Sequence, residues 1–405
     1  MSSSNRVRVA VIPEVLLGIT PTTGNFSTAR YTSESLSGTP TTTESAQIRS
    51  DRLSSGQILT GLEVGGDLGF ELSKDATFEA MLESVMYSSW SVLPLVSADL
   101  SINIDVLTDP LHPRITISRV AGDFAVDLDI GDIFRTTGFT NVENNTYFQV
   151  LEFVSPTTVR VNASQTIGDV VNEIVTGGSF KRADRLSIGT TQKSFSIEKA
   201  FLDLSNKALI YRGQIANTFN VSVAYGEVVT GSIGFVGTDR DQADSLAEFI
   251  TTGRTINPSA STSSLNGSID MPFISSSSLG ELSPVDFCIQ SLSIDLDNNN
   301  NAQNCIGKIG PKNFSAGSAS VSVSLSAYLA DDTWGVLARK LDQTAFSLGF
   351  LIKNAEGGYG FYLPAVQVSF SDPSVSGANT DISLEMDGVG RAGPSGESTL
   401  YIFRL

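Results

Sequence analysis

The chain has 405 residues, 40% of them hydrophobic and only 17% charged, with 36 glycines. That is enough apolar material for two or three packed domains, and the glycine content favours strands and turns. With 26 Lys and Arg against 43 Asp and Glu the net charge is −17, which excludes a protein that grips DNA or an anionic membrane by bulk charge but lets a duplex pass without sticking.

In chain order, residues 1–9 carry basic side chains with no long apolar run behind them, so no secretory leader is expected. Residues 7–12 are apolar and end at Pro13, as a first strand or an arm. Residues 30–36 read as a strand, and the Thr-rich, polar stretch that follows to Leu53 as a long exposed hairpin or loop. From Gly56 the pattern sharpens. Leu62, Val64, Leu68, Phe70 and Leu72 fall on even positions, the two-residue period of a strand with one buried face. Glu63, Asp67 and Glu71 share the opposite face. The period then changes: Phe78, Met81, Leu82, Val85 and Met86 recur at three and four residues, a helix stripe. Ser73 or Asp75 can cap the start, and Ser88, Ser89 and Pro94 stop it. The stripe predicts about four turns. Five such side chains at about 1.5–3 kcal/mol each suffice to hold a helix on a sheet.

Residues 98–107 alternate as another strand. Then the texture shifts. Pro110 and Pro113 open a segment of short strands at 115–120, 122–126, 131–139, 147–154 and 158–161, separated by Gly-Asp and Asn-Asn turns. That spacing suits a small barrel or a small sandwich. Strands resume at 193–201, 209–213, 214–225 and 228–237. Residues 239–267 are polar and Ser-rich, with a short helical pattern at 244–250. Residues 268–405 are strand-rich again, with one helical pattern at 331–341.

The second strand-rich part repeats the first. Residues 31–36, a polar loop and 53–56 parallel residues 290–295, an Asn-rich loop and 314–317. The strand ending at Glu71 parallels the one ending at Tyr328, and a helical pattern follows each. Residues 194–197 parallel 345–348, and 234–237 parallel 387–390. The match holds only when 111–184 is removed from the first copy, which marks that stretch as an insertion. The expected organisation is a first fold in 1–110 plus 185–240, an inserted β module in 111–184, a linker in 241–267 and a second fold in 268–405.

In this order the chain resembles the major tail tube proteins of long-tailed bacteriophages. The residues that carry the resemblance are 31–36 with their polar loop, 61–68 leading into the helix at 78–90, the inserted module with Gly122-Asp-Phe, Gly131-Asp-Ile-Phe and Gly138-Phe-Thr-Asn, and then 195–201, 211–214 and 229–235. The resemblance implies a fold of two packed antiparallel sheets flanked by one helix. Six such folds make a ring, the inner sheets close into a barrel-shaped lumen, and stacked rings form the tube that carries the genome to the cell. A long loop from each fold contacts the neighbouring ring. It implies a structural virion protein rather than an enzyme, assembled in the host cytoplasm. Its partners would be further copies of itself, the tail terminator, tape measure and distal tail proteins, and passing double-stranded DNA held by no specific contact. If the repeat is real, three chains complete the ring; if not, six. Open strand edges that seek another chain fit this reading. A β-rich adhesin or carbohydrate-binding protein, and a β-rich hydrolase with paired carboxylates, are the alternatives.

No chemistry competes. His112 is the single histidine, so a catalytic triad or a histidine metal site has nothing else to use. Cys288 and Cys305 make neither a disulfide framework nor a zinc site, and read as free thiols. The Asn-rich stretch from Asp295 lacks the glycine and distal Glu of a calcium loop and reads as a solvated hairpin tip. The glycines of 61–67 have no phosphate-loop Lys and read as a place of close strand packing or a bulge. Asp331 and Asp332 read as a helix cap, and Lys181-Arg182 as an isolated basic pair. No catalytic, cofactor or metal residue is expected, and no stretch approaches the roughly 18 apolar residues of a membrane span.

Overall fold

The computed structural model describes residues 3–48, 50–51, 53, 56–105, 114–163, 170–204, 207–243, 255–268, 273–278, 283–284, 288–329, 345–369, 372–373, 381–393 and 396–405. The helical patterns at 244–250 and 331–341, with Asp331, Asp332 and His112, lie outside them. The chain is mainly β, as its alternation predicts.

The alternating stretch forms one 15-residue strand, Gln57–Glu71. Val64, Leu68 and Phe70 are buried on one face, with Leu72 just beyond, while Glu63, Asp67 and Glu71 are exposed on the other. The strand pairs antiparallel with Ser37–Glu44 on one side and with Thr230–Gly237 on the other. Thr230–Gly237 pairs with the 18-residue strand Lys207–Ala224. The second half builds the same set: Ile289–Asp297 pairs with Ser320–Tyr328, that with Ser383–Arg391, and that with Gly357–Ser369. Residues 218–224 pair with 291–297, so the two sets run on as one sheet of eight strands.

Each long strand changes partners half-way. An irregularity between Ala216 and Thr218 turns Lys207–Ala224 out of this sheet, and its first half pairs with Ser194–Phe201, which pairs with Val7–Pro13. Gly357–Ser369 likewise pairs along its first half with Phe346–Asn354, which pairs with Phe273–Ser278. Each long strand also carries a last short strand, Asp239–Ala243 in one half and Tyr401–Arg404 in the other. The strand order is therefore the same in both halves.

The apolar faces of the layers meet in one cluster that runs through both halves, from Phe70, Phe219 and Phe235 to Phe350, Phe361 and Met386. The Ala76–Val85 helix closes it on the first side. Asp75 caps the helix by accepting the Thr77 N–H at 2.6 Å, and the predicted stripe of Phe78, Met81, Leu82, Val85 and Met86 is buried. Phe78 packs 4.7 Å from Phe70, ring centre to ring centre. The helix has 10 residues, about three turns rather than four. It ends early because Tyr87 takes a positive φ of 49° and because Asn298, from the second half, donates to the Val85 carbonyl at 2.9 Å.

Between the strands of the first half the chain makes a closed barrel of six strands: Thr158–Ala163, Arg114–Arg119, Val96–Asp105, Glu173–Arg182, Ile133–Thr137 and Tyr147–Ser155. It is a barrel, not a sandwich, with Phe124, Phe134, Phe148 and Phe180 at its centre. Val96–Asp105, read from the sequence with the first fold, pairs with barrel strands on both edges. The barrel rests on the second half, where Ile133 and Leu151 pack with Leu351, Tyr362 and Phe403. Residues 255–267, the described end of the expected linker, run along the first half. Leu265 is fully buried there and exchanges backbone hydrogen bonds with Leu72 and Val229 at 2.8 Å.

Candidate assembly surface

The eight-stranded sheet has one face in the core and one face free of it. The strand register brings seven carboxylates to the free face: Glu63, Asp67, Glu71, Asp295, Asp297, Glu385 and Asp387. Between them stand hydroxyl and amide side chains such as Asn220, Ser222, Ser322 and Ser324. Among the described residues of these paired stretches, Arg391 at a strand end is the basic side chain on that face. The sequence placed Glu63, Asp67 and Glu71 together opposite their apolar neighbours, and the structure leaves all three exposed there. The other four were not legible, because only cross-strand register shows that their faces coincide.

The two halves place their acids differently. In the first, Asp67 stands opposite Gly234. In the second, Ser324 stands opposite Asp387 and donates its hydroxyl to it at 2.8 Å. Asp67 lies four residues before Glu71, and Ser324 four before Tyr328, so the cross-strand pair is the same and the carboxylate has changed strands. Asp295 and Asp297 line the joint between the halves, where Asn220 donates to Asp295 at 2.6 Å and Asn217 to Asp297 at 3.2 Å.

Gly66 explains why glycines cluster in this strand. Its φ is +142°, and a Cβ on it would lie 2.5 Å from the Ser35 carbonyl oxygen. Close strand packing, rather than a phosphate loop, accounts for it.

Two loops rise from corresponding hairpins. The first joins Ser37–Glu44 to Gln57–Glu71, with Ile48 fully exposed and Ile58 and Leu59 half-exposed in the paired strand at its foot. The second holds a small hairpin of Asn301–Gln303 with Asn313–Ser315, and its Ile306 is fully exposed. This second loop leans on the first half: Leu62 N–H donates to the Ile309 carbonyl at 3.1 Å. Asn298, expected in a solvated tip, is buried and donates to Val85 and Ala216 carbonyls. The Tyr87 hydroxyl donates to Asn300 at 2.7 Å, and burial raises its pKa above the ordinary tyrosine value. A run of asparagines beside a strand end can supply caps to another element as readily as a turn, and nothing local distinguishes the two.

The barrel is fixed to the body by ions. Arg185 meets Asp132 at 2.8 Å and Asp129 at 2.9 Å. Asp132 is buried, and loss of solvent outweighs its arginine neighbours, so its pKa lies above the usual carboxylate value. Arg182, the second residue of the isolated basic pair, is buried at this seam and donates to Ser91. Cys288 and Cys305 are free and exposed. Among the described residues no helix is long and apolar enough to cross a membrane.

No curated relative matches the chain. A family model described as phage tail tube protein matches residues 4–390, taking in both halves of the sheet and the barrel between them. The chain belongs to the phage tail tube protein family.

Proposed function

We propose that three copies of the chain join into a ring of six folds, that the eight-stranded sheets form its inner wall, and that rings stack into a tube through which double-stranded DNA passes to the host cell. Family membership makes the chain a structural protein of the virion tail. The observation that carries the finer reading is the shared strand order of the two halves and their union in one sheet with an acidic face. Two separate stretches of the repeat agree in register. Glu71 and Tyr328 match in sequence, as do Gly234 and Asp387; Gly234 faces Asp67 and Asp387 faces Ser324, each four residues before its matched partner. That agreement supports duplication of a tail tube fold within the chain.

The acidic face suits a conduit. Duplex DNA carries one charge about every 1.7 Å of its axis, and a basic wall would hold it by releasing counterions. A wall of carboxylates, hydroxyls and amides repels it weakly and offers no counter-charge. The barrel packs on the other layer, against Leu351 and Phe403, away from that face. It would decorate the outside of the tube. The ends of the tube would meet tail terminator and distal tail proteins, and its bore the tape measure protein, after assembly in the host cytoplasm.

Electron microscopy of the purified protein tests this. Rings or tubes with an open bore, threefold symmetry and three outward projections per ring are expected. A monodisperse monomer, or a plugged or positively charged bore, would end the reading.

A further inference from the structure

Five cations line one cleft of a chain whose net charge is −17. The cleft has a volume of about 380 Å³ and lies where the barrel meets the body. Phe134, Phe148 and Phe180 fill the barrel, so by alternation Arg135, Tyr147 and Lys181 stand on its outer wall. Register sets these three in one row across three strands: Lys181 faces Arg135, and Arg135 faces Tyr147. Lys74 and Arg404 come from the body, and the buried Arg182 completes the set.

The body's two cations have close carboxylate partners. Arg404 meets Asp184 at 2.7 Å and Glu79 at 2.8 Å, and Lys74 meets Glu79 at 2.7 Å. Asp184 is the one acidic side chain in the lining; a terminal carboxylate on Leu405 would make the anions two. The barrel's cations are not matched in this way. Among the described residues Arg135 has no ion pair, and its guanidinium lies 5.7 Å from the centre of the Tyr147 ring. Lys181 comes no nearer to a described carboxylate than 3.6 Å, at Asp184. Arg182 stands 3.8 Å from Asp132, and its buried Nε has no hydrogen-bond partner among the described residues. Like charges directly opposite on antiparallel strands destabilise the pair. An oxyanion between Arg135 and Lys181 would turn that repulsion into charge-assisted hydrogen bonds, with Arg182 adding to the field.

We infer that this cleft binds a phosphorylated saccharide, its phosphate between Arg135 and Lys181 and its ring against Tyr147 and Leu95. A lone ion needs far less room, and the volume falls at the lower end of the roughly 300–1,000 Å³ of small-molecule sites. Tyr147 is partly exposed and Leu95 half-exposed, which suits the C–H face of a sugar ring. The Thr137 hydroxyl, 2.7 Å from that of Ser179, stands in the same lining as a partner for ring hydroxyls. The cleft lies within one chain and does not depend on the ring proposed above.

Calorimetric titration of the full chain with glucose 1-phosphate, inorganic phosphate and glucose tests this. Glucose 1-phosphate is expected to bind at one site per chain, more tightly than inorganic phosphate and more weakly as salt rises, and glucose not to bind. Arg135→Ala with Lys181→Ala should weaken glucose 1-phosphate by at least about tenfold. Because it removes a facing like-charge pair, the double variant should melt no earlier than wild type. Should it melt earlier, Arg135→Gln alone decides, with a several-fold loss expected. No saturable binding of either phosphate, or equal binding by a folded variant, would overturn the site. Equal affinity for inorganic phosphate and glucose 1-phosphate would overturn the saccharide. A glycan polymer joined by phosphodiesters and coupled to beads separates the two sources of such a group. Retention that the double variant loses assigns a surface polymer; binding of glucose 1-phosphate without retention assigns a free sugar phosphate.

Discussion

Reversing charge at one cross-strand pair tests whether the acidic face lines the bore. Asp67 and Asp387 belong to corresponding cross-strand pairs of the two halves, on opposite strands, and both are exposed. Asp67→Lys with Asp387→Lys therefore turns one carboxylate per fold into one ammonium. Exposed substitutions away from special features cost within about 0.5 kcal/mol, and the one bond lost at position 387 is the Ser324 hydroxyl's donation, so tubes should still form. A ring of three chains then shows about six lysines to a duplex, and if all meet phosphates the plot of log affinity against log salt falls with a slope of about −5, at −0.9 per contact. The assay is retention of a short fluorescent duplex on sedimented tubes across a sodium chloride series. Wild-type tubes should retain none, and lysine tubes should retain it at low salt and release it steeply. Wild-type tubes that bind the duplex with a steep salt slope, or intact lysine tubes that bind none, would refute the assignment of this face to the bore.

Three further outcomes concern the body. Asn298→Ala removes two buried hydrogen bonds, to Val85 and Ala216, each worth about 0.5–1.5 kcal/mol; urea unfolding should show a loss of about 1–3 kcal/mol, and no loss would mean the helix end finds another donor. Gly66→Ala forces a Cβ to within 2.5 Å of the Ser35 carbonyl at a φ of +142°; a cost of at least the 1–3 kcal/mol usual for such strain is expected by the same measurement. Asp132→Asn reads the seam of the barrel through pH. Burial raises the Asp132 pKa in the folded chain above its unfolded value, so the folded state binds the extra proton between those two values and this group's contribution falls as pH rises through that interval. Asn cannot titrate, so the substitution should cost less at pH 7 than at pH 4; a cost that grows with pH would show that Arg185 and Arg182 dominate instead.

What the sequence made legible follows from the range of each signal. Alternation in 57–72 and the stripe from Phe78 to Met86 are local, and both became the elements they predict. The end of the helix was not local, since the residue that satisfies the Val85 carbonyl lies in the other half of the chain. Val96–Asp105 was visible as a strand but not as a barrel strand, because a strand's period does not name its partners. Leu265 looked like one apolar residue in a Ser-rich linker, and a single buried side chain leaves no period to read. The repeat read from the sequence differs from the strand pairing by one slip. Sequence matching sets Ser33 against Leu292, whereas pairing sets Ser33 opposite Gly69 and Ser291 opposite Ser326, both two residues before the matched Glu71 and Tyr328. Ser33 thus corresponds to Ser291, and the buried Leu36 to the buried Ile294. A slip of one residue exchanges the two faces of a strand, which is why composition alone could not assign the acids of the second half to the free face.

On the proposed duplication, joining two folds in one chain changes what assembly must accomplish. A joint between free subunits has to overcome about 4–15 kcal/mol of lost translational and rotational freedom. A tethered joint, such as 218–224 with 291–297, forms at the high effective concentration set by the connecting chain. In the proposed ring of six folds, half of the joints would be made during folding, and three would remain to be made between molecules. The halves are also not identical. The barrel occurs in the first half alone and is supported by the second. The second loop caps the helix of the first half through Asn298 and accepts the Tyr87 hydroxyl on Asn300, while Pro40, at the place of Asn298, lies within the strand Ser37–Glu44. Yet the pair 67–234 and its counterpart 324–387 each keep one carboxylate, on opposite strands. Side chains that serve the fold differ between the halves while both halves keep carboxylates on the free face, which suits the proposed conduit, where potential rather than specific contact matters.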